Sequence, residues 1–285
     1  MPKQPQTDQP HIERSLRTIG VLPDGVIEIA EAALLLAALD HPDRNMDVYR
    51  DHLDELAAAT SRAARRAETP AEKAAALGQV LFTEFGYQGD VDTYDDMQNA
   101  NLIRVIERRK GLPVALGILC LHMARAQKWS IAGTHFPSHF LLRLHEGRDP
   151  LMIDPFHDCR VLEEDDLRAL MEKMFGQEAA FDPRYCNRAD NRADNRDVLV
   201  RLQNNIKMRA LETGDLDRAL EMLTRMTLFS PEHPGLWFEH AVLLSRQGQV
   251  KAAITMAETF MATPAAAPHT ARFQALLDAL HGQLH

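Results

Sequence analysis

Between Gln98 and Asp158 the chain sets out the residue types of thiol chemistry: Cys120 in an apolar stretch, then His139, then Asp154. Such a set works when the sulfur is ionised, an imidazole takes up the proton and a carboxylate fixes the ring tautomer. The surroundings of Cys120 point elsewhere. Leu116 and Met123 share its helical face, so a buried thiol with a raised pKa is expected. Cys159 reads as an incidental loop cysteine. His139 and Asp154 also have a plainer reading, a hydrogen bond between adjacent strands that fixes their register.

Three further groups of residues could bind something. His135, His139, Asp154 and His157 are of the types that zinc takes, and five of the 13 histidines lie between His122 and His157. Pro137 prevents a helical pairing of His135 with His139. On one strand the two would stand about 13 Å apart, too far for one ion, so no metal is expected. Arg108 and Arg109 precede the central helix and could hold an anion at its N-terminus, or be a solvated helix end. Arg201, Asn204, Asn205, Lys207 and Arg209 form a polar, basic face on a later helix. That face could take a peptide or simply face water.

These residues need elements to position them. Proline suits a first helical position, and Pro113 opens a helix with Leu116, Leu119, Cys120, Met123 and Ala124 on its core face. After Trp129 the hydrophobic period changes to two. IAGTHF, HFLLRLH and LMIDPF read as strands, with a turn at Gly147–Pro150. Upstream, VIEIAEAALLLAALD is apolar nearly all round and reads as a buried helix. Helices follow from Met46 to Ala67, with Val48, Leu53, Leu56 and Ala59 inward, and from Pro70 to Gly86. YQGDVDTYDDMQNAN reads as a surface loop, with Asn101 capping the helix LIRVIERRK. Glu163 to Phe175 is a further amphipathic helix.

Residues 198–285 repeat with a period of 34: Gly214 matches Gly248 and Ala219 matches Ala253. With Trp237 in a first-helix aromatic position, this is similar to two tetratricopeptide units, each a helical hairpin. Ala219 and Ala253 stand where paired helices cross. Lys207 departs from the pattern, because a small residue is usual there. Two units are too few to stand alone, so Leu276, Leu277 and Leu280 are expected to cap them.

Composition narrows the partners. Net charge is −9 and the pI is about 5.8, which argues against nucleic acid or an anionic membrane. No apolar run reaches the roughly 18 residues of a membrane span, and the N-terminus lacks a signal-peptide core. Three widely spaced cysteines fit a reducing cytosol.

The stretches ERRKGLPVALGILCLHMARA, FPSHFLLRL and IDPF, followed by the two repeats, resemble the bacterial SirB family of transglutaminase-like proteins. The resemblance implies a transglutaminase-like, papain-like core with a Cys–His–Asp triad. In active members the cysteine lies two residues after a glycine, at the N-terminus of the central helix. On this chain that glycine is Gly111 and the nucleophile position is Pro113, while His139 and Asp154 match the family histidine and aspartate. Proline has no nucleophile. The expectation is therefore an α+β, mostly α chain: a disordered tail over 1–22, the transglutaminase-like domain over 23–182, a linker over 183–197 and the repeats over 198–285. Its expected role is non-catalytic binding of a protein or peptide in the cytoplasm, without cofactor. The alternative is a cysteine-dependent hydrolase or acyltransferase using the displaced thiol of Cys120 with His139 and Asp154.

Overall fold

Short local signals set the helix starts, and burial decides what the helices do next. A computed structural model describes residues 9–136, 139–145, 150–176 and 191–283. Helix α1 covers Gln9–Val21, α2 Ile29–Ala38 and α3 Met46–Ala63. Asn45 caps α3 by accepting the Asp47 N–H. Helix α4, Pro70–Gly78, starts on a capping box in which Thr69 and Glu72 exchange hydrogen bonds. It runs into a π-helical segment over Gln79–Glu84. Gly86, at φ 70°, ends this arm, since glycine takes the left-handed region without a steric penalty.

Strand β1, Gln88–Gly89, pairs in parallel with β2, Lys110–Gly111. Between them lies α5, Leu102–Arg108, with Asn101 accepting the Arg104 N–H as its cap. Helix α6, Pro113–Ala126, follows at once. All residues from Val114 to Leu121 are buried, and so are Met123 and Ala124. It packs against α2, α3 and the sheet. A helix buried on all sides has to be apolar on all sides, so the expected single core face is an understatement.

The sheet is antiparallel, in the order β6-β5-β4-β3-β7. Its strands are β3 Ile131–Thr134, β4 Leu142–Leu144, β5 Leu151–Asp154, β6 Arg160–Leu162 and β7 Arg192–Ala193. Helix α7, Glu164–Phe175, brings Leu167 onto Phe136, Leu141, Met152 and Leu162. The turn expected at Gly147–Pro150 falls outside the described residues except for Pro150.

Helix α8 covers Asn195–Glu212, followed by α9 Leu216–Phe229, α10 Pro234–Arg246, α11 Val250–Met261 and α12 Thr270–Gly282. Neighbours in sequence from α9 to α12 pack on one another. Ala219 and Ala253 have no exposed surface, as close helix crossings require. Gly214 and Gly248, at φ 78° and 76°, turn the chain between paired helices. Phe273, Leu277 and Leu280 of α12 are buried.

The chain divides into two compact units. One is Pro23–Leu202 with the chain up to Ile12; the other is Gln203–His285 with Glu13–Leu22. Several expectations are corrected. The tail expected over 1–22 forms α1 from Gln9 onward, because Ile12 and Leu16, four residues apart, give it an apolar side that is buried. The linker expected over 183–197 is packed where it is described: β7 pairs with β3. There Asp24 also accepts the N–H groups of Asn195 and Arg196, at 2.9 and 3.1 Å. A carboxylate 171 residues away in sequence thus serves the first turn of α8. Val48 lies on the outer face of α3, 60% exposed. The supposed surface loop after Gly86 buries Tyr87, Asp90, Asn99 and Ala100.

Candidate functional site

The N-terminus of α6 is the position where the resemblance places a nucleophile. Pro113 stands there as the first helical residue. The approach is fixed by backbone bonds: Asp90 donates to the Gly111 carbonyl and Leu112 to that of Asn99. Asn99 and Asp90 are both buried, and Arg108 bridges them with bonds of 2.8 and 2.9 Å. Burial alone would raise the pKa of Asp90. Bonds from the Thr93 hydroxyl and N–H, from Arg108 and from Asn99 overcome it and hold that pKa at about 2.

Arg109, at φ 56°, ends α5 in the left-handed region. Its guanidinium lies 4.8 Å over the Tyr87 ring and donates to the Tyr87 hydroxyl at 2.6 Å. It also contacts Nε2 of His52, which lies 2.8 Å from the same hydroxyl. Burial, and next the Arg109 charge, push the His52 pKa down to about 4. Burial pushes that of Tyr87 up to about 12. Arg108 and Arg109, read as either an anion site or a solvated helix end, are instead turned into the fold.

Seven residues along α6 from Pro113, Cys120 has no exposed surface, and its sulfur lies 3.3 Å from that of Cys159. Cys159 is only 3% exposed, so it is not an incidental loop cysteine. The Cys120 contact, then burial, then Asp154 and Asp158 nearby raise its pKa. Cys186 lies outside the described residues.

His139 and Asp154 do not form the expected bond. Asp154 sits at the end of β5, and its carboxylate accepts the Phe156 N–H at 2.8 Å and pairs with Nδ1 of His157 at 2.7 Å. The β4–β5 register sets Leu142 opposite Ile153, which carries His139 past Asp154. His139 lies in a bend before β4, half-buried, with its Nδ1 enclosed and unpartnered. The next residue, Phe140, is held tightly: a Cβ on Gly117 would stand 2.3 Å from its ring. The guanidinium of Arg201 lies 5.6 Å over that ring, and burial lowers its pKa. Tyr94, Phe156 and His157 continue the region as edge-to-face aromatic contacts at 5.9 and 5.2 Å.

The basic face expected on α8 is mostly inward. Lys207 is 4% exposed and pairs with Glu239 of α10 at 2.5 Å, which explains why a long residue replaces a small one. Arg209 is buried and bonds the Asn205 carbonyl and side chain. Asn204 is half-buried, with its side-chain oxygen enclosed and unpartnered. Of the supposed metal set, His135 faces Asp197 at 3.1 Å and His157 faces Asp154. Among the described residues no group of three or more His, Cys, Asp or Glu could hold a metal ion.

Sequence reasoning missed the pairing of His157 with Asp154, the Asp90–Asn99–Arg108 network and the His52–Tyr87–Arg109 cluster. Four acids and four amides within the fifteen residues 87–101 were the available signal for the network. His52 had none, because it lies 57 residues from Arg109.

Comparison with known proteins follows the same division. The transglutaminase-like superfamily model matches residues 47–204 and a tetratricopeptide repeat model matches 206–280. A UPF0162 protein of Xylella fastidiosa strain Temecula1 is 30% identical over 216 residues, 76% of each chain. One from Pseudomonas aeruginosa is 27% identical over 70% of this chain and 72% of its own. Human F-box only protein 21 is 32% identical over 81 residues, 28% of this chain and 13% of that one. No solved structure matches. No helix among the described residues is long and apolar enough to cross a membrane.

Proposed function

We propose, from the premise that the chain belongs to the transglutaminase-like superfamily, that it is a non-catalytic module binding a protein or peptide segment. The carrying observation is Pro113 at the first position of α6. A thiol there would have the helix N-terminus to ionise it, and proline supplies no sulfur, oxygen or nitrogen to attack with. Cys120 is a poor substitute, because it is enclosed and faces a second sulfur. His139 and Asp154 are left with no nucleophile to serve, and Asp154 is occupied by His157 and a backbone N–H. The repeats support the binding side of this reading, since such helical hairpins commonly take extended segments. The acidic balance and sparse cysteines support a cytosolic protein whose partner is not nucleic acid.

The test is alkylation of the native chain across pH, read site by site by mass spectrometry. Cys120 is expected to stay unmodified until the protein unfolds. Rapid labelling of Cys120 below neutral pH would identify an activated thiolate and replace this reading with a cysteine-dependent hydrolase or acyltransferase.

A further inference from the structure

Cys120 and Cys159 come from elements far apart in sequence and meet inside the first unit, sulfur to sulfur at 3.3 Å. A disulfide bond needs about 2.05 Å, so closing the pair takes a shift of little more than an ångström. The backbone around Cys159 is specialised for this placement. Asp158 and Cys159 are consecutive non-glycine residues at φ 53° and 55°, and Arg160 donates to the His157 carbonyl at 2.8 Å. Two left-handed central residues mark a tight hairpin turn that usually takes Asn and Gly. Each non-glycine residue held there carries strain. Gly78 makes room for the turn, because a Cβ there would stand 2.4 Å from the Asp158 carbonyl oxygen.

There is also a pocket beside the turn, of about 380 Å³, lined by Gly78, Gln79, Phe82, Thr83, Tyr87 and Asp158. The Cβ of Cys159 would lie 3.5 Å from a Cβ on Gly78, so its side chain stands directly behind the pocket wall. A small oxidant fits such a space beside the turn.

We propose that Cys120 and Cys159 are a reversible disulfide site oxidised by a small hydroperoxide, with hydrogen peroxide as the simplest member of the class. One sulfur, as thiolate, attacks a peroxide oxygen. The O–O bond breaks, hydroxide leaves and takes up a proton, and a sulfenic acid remains. The second sulfur displaces hydroxide from the first and the S–S bond forms. The two thiols lose two electrons and both their protons, and the peroxide becomes two waters. The raised pKa of Cys159 makes the step slow at neutral pH and faster as pH rises, because the thiolate is the reacting form. The bond would pin the turn that carries Asp154 and His157 to the middle of α6. This site does not depend on whether the chain binds a peptide.

The experiment uses the full chain carrying Cys186→Ser, treated with hydrogen peroxide at several pH values and mapped under non-reducing conditions. A peptide linking Cys120 to Cys159 is expected, forming faster at higher pH and reversed by dithiothreitol. The melting temperature of the first unit is expected to rise by roughly 5 °C on oxidation. Both Cys159→Ser and Cys120→Ala abolish that rise, so one variant suffices if the other misfolds. Stepwise oxidation of Cys159 to sulfinic acid beside a free Cys120 overturns the proposal. So do links only between chains, and two thiols left intact while methionines oxidise.

Discussion

His52 and His240 are both buried and both held at a pKa of about 4, in quite different surroundings. His52 stands in a closed cluster with Tyr87 and Arg109, one step from the Asp90–Asn99–Arg108 network. His240, on α10, is shifted by burial alone, and its Nδ1 has no partner. The first region spends polar groups to hold one irregular backbone path between β1 and α6. The second relies on regular helix packing and tolerates a buried polar atom left over. The bonded polar groups are concentrated at the N-terminus of α6, where the resemblance places a nucleophile.

The sharpest way to break this contrast is Asp90→Ala. It leaves Arg108 with its Asn99 bond but no counter-charge, and removes the acceptor of Thr93. A loss of about 3 kcal/mol is expected for the first unit, read as an early urea transition with the second unit's transition unmoved. A change below about 1 kcal/mol would show that the network is ornamental. Acid comes next. Both histidines bind their proton more readily unfolded, so stability present above pH 6.5 is lost as pH falls toward 4, on the order of 2 kcal/mol for each. Melts at about pH 7.5 and about pH 4.5 test this. His240→Leu is expected to flatten the response of the second unit and leave that of the first. The smallest effect is expected from Lys207→Ala, which restores the small residue common in such repeats. Glu239 is 40% exposed at its side chain and can return to water, so the cost is expected to stay under about 1 kcal/mol. A loss of several would place the second region with the first.

Local signals carried well into the structure. Asn101 and Pro113 start helices where their chemistry says they should, and Gly214 and Gly248 turn the repeats. The 34-residue period was readable because each unit repeats the same local problem. The site was less legible because its bonds close over distance. Cys120 and Cys159 are 39 residues apart and meet only once α6 and the β5–β6 turn are stacked. His157 displaced His139 at Asp154 because a contact three residues away costs less order than one across strands. The left-handed φ at Arg109, Asp158 and Cys159 broke the usual preference for glycine, so no residue type announced it.

The link from Asp24 to the start of α8 has a consequence for synthesis. At five to twenty residues per second, a ribosome needs on the order of ten to thirty seconds to travel from Asp24 to Asn195. Until then β3 lacks its β7 neighbour, and the first unit cannot close. A nascent chain in that interval displays an open sheet edge beside the largely apolar α6, the kind of surface chaperones hold. Newly made chains released early by a stop codon before Asn195 should therefore be cleared or aggregate, however intact their helices are.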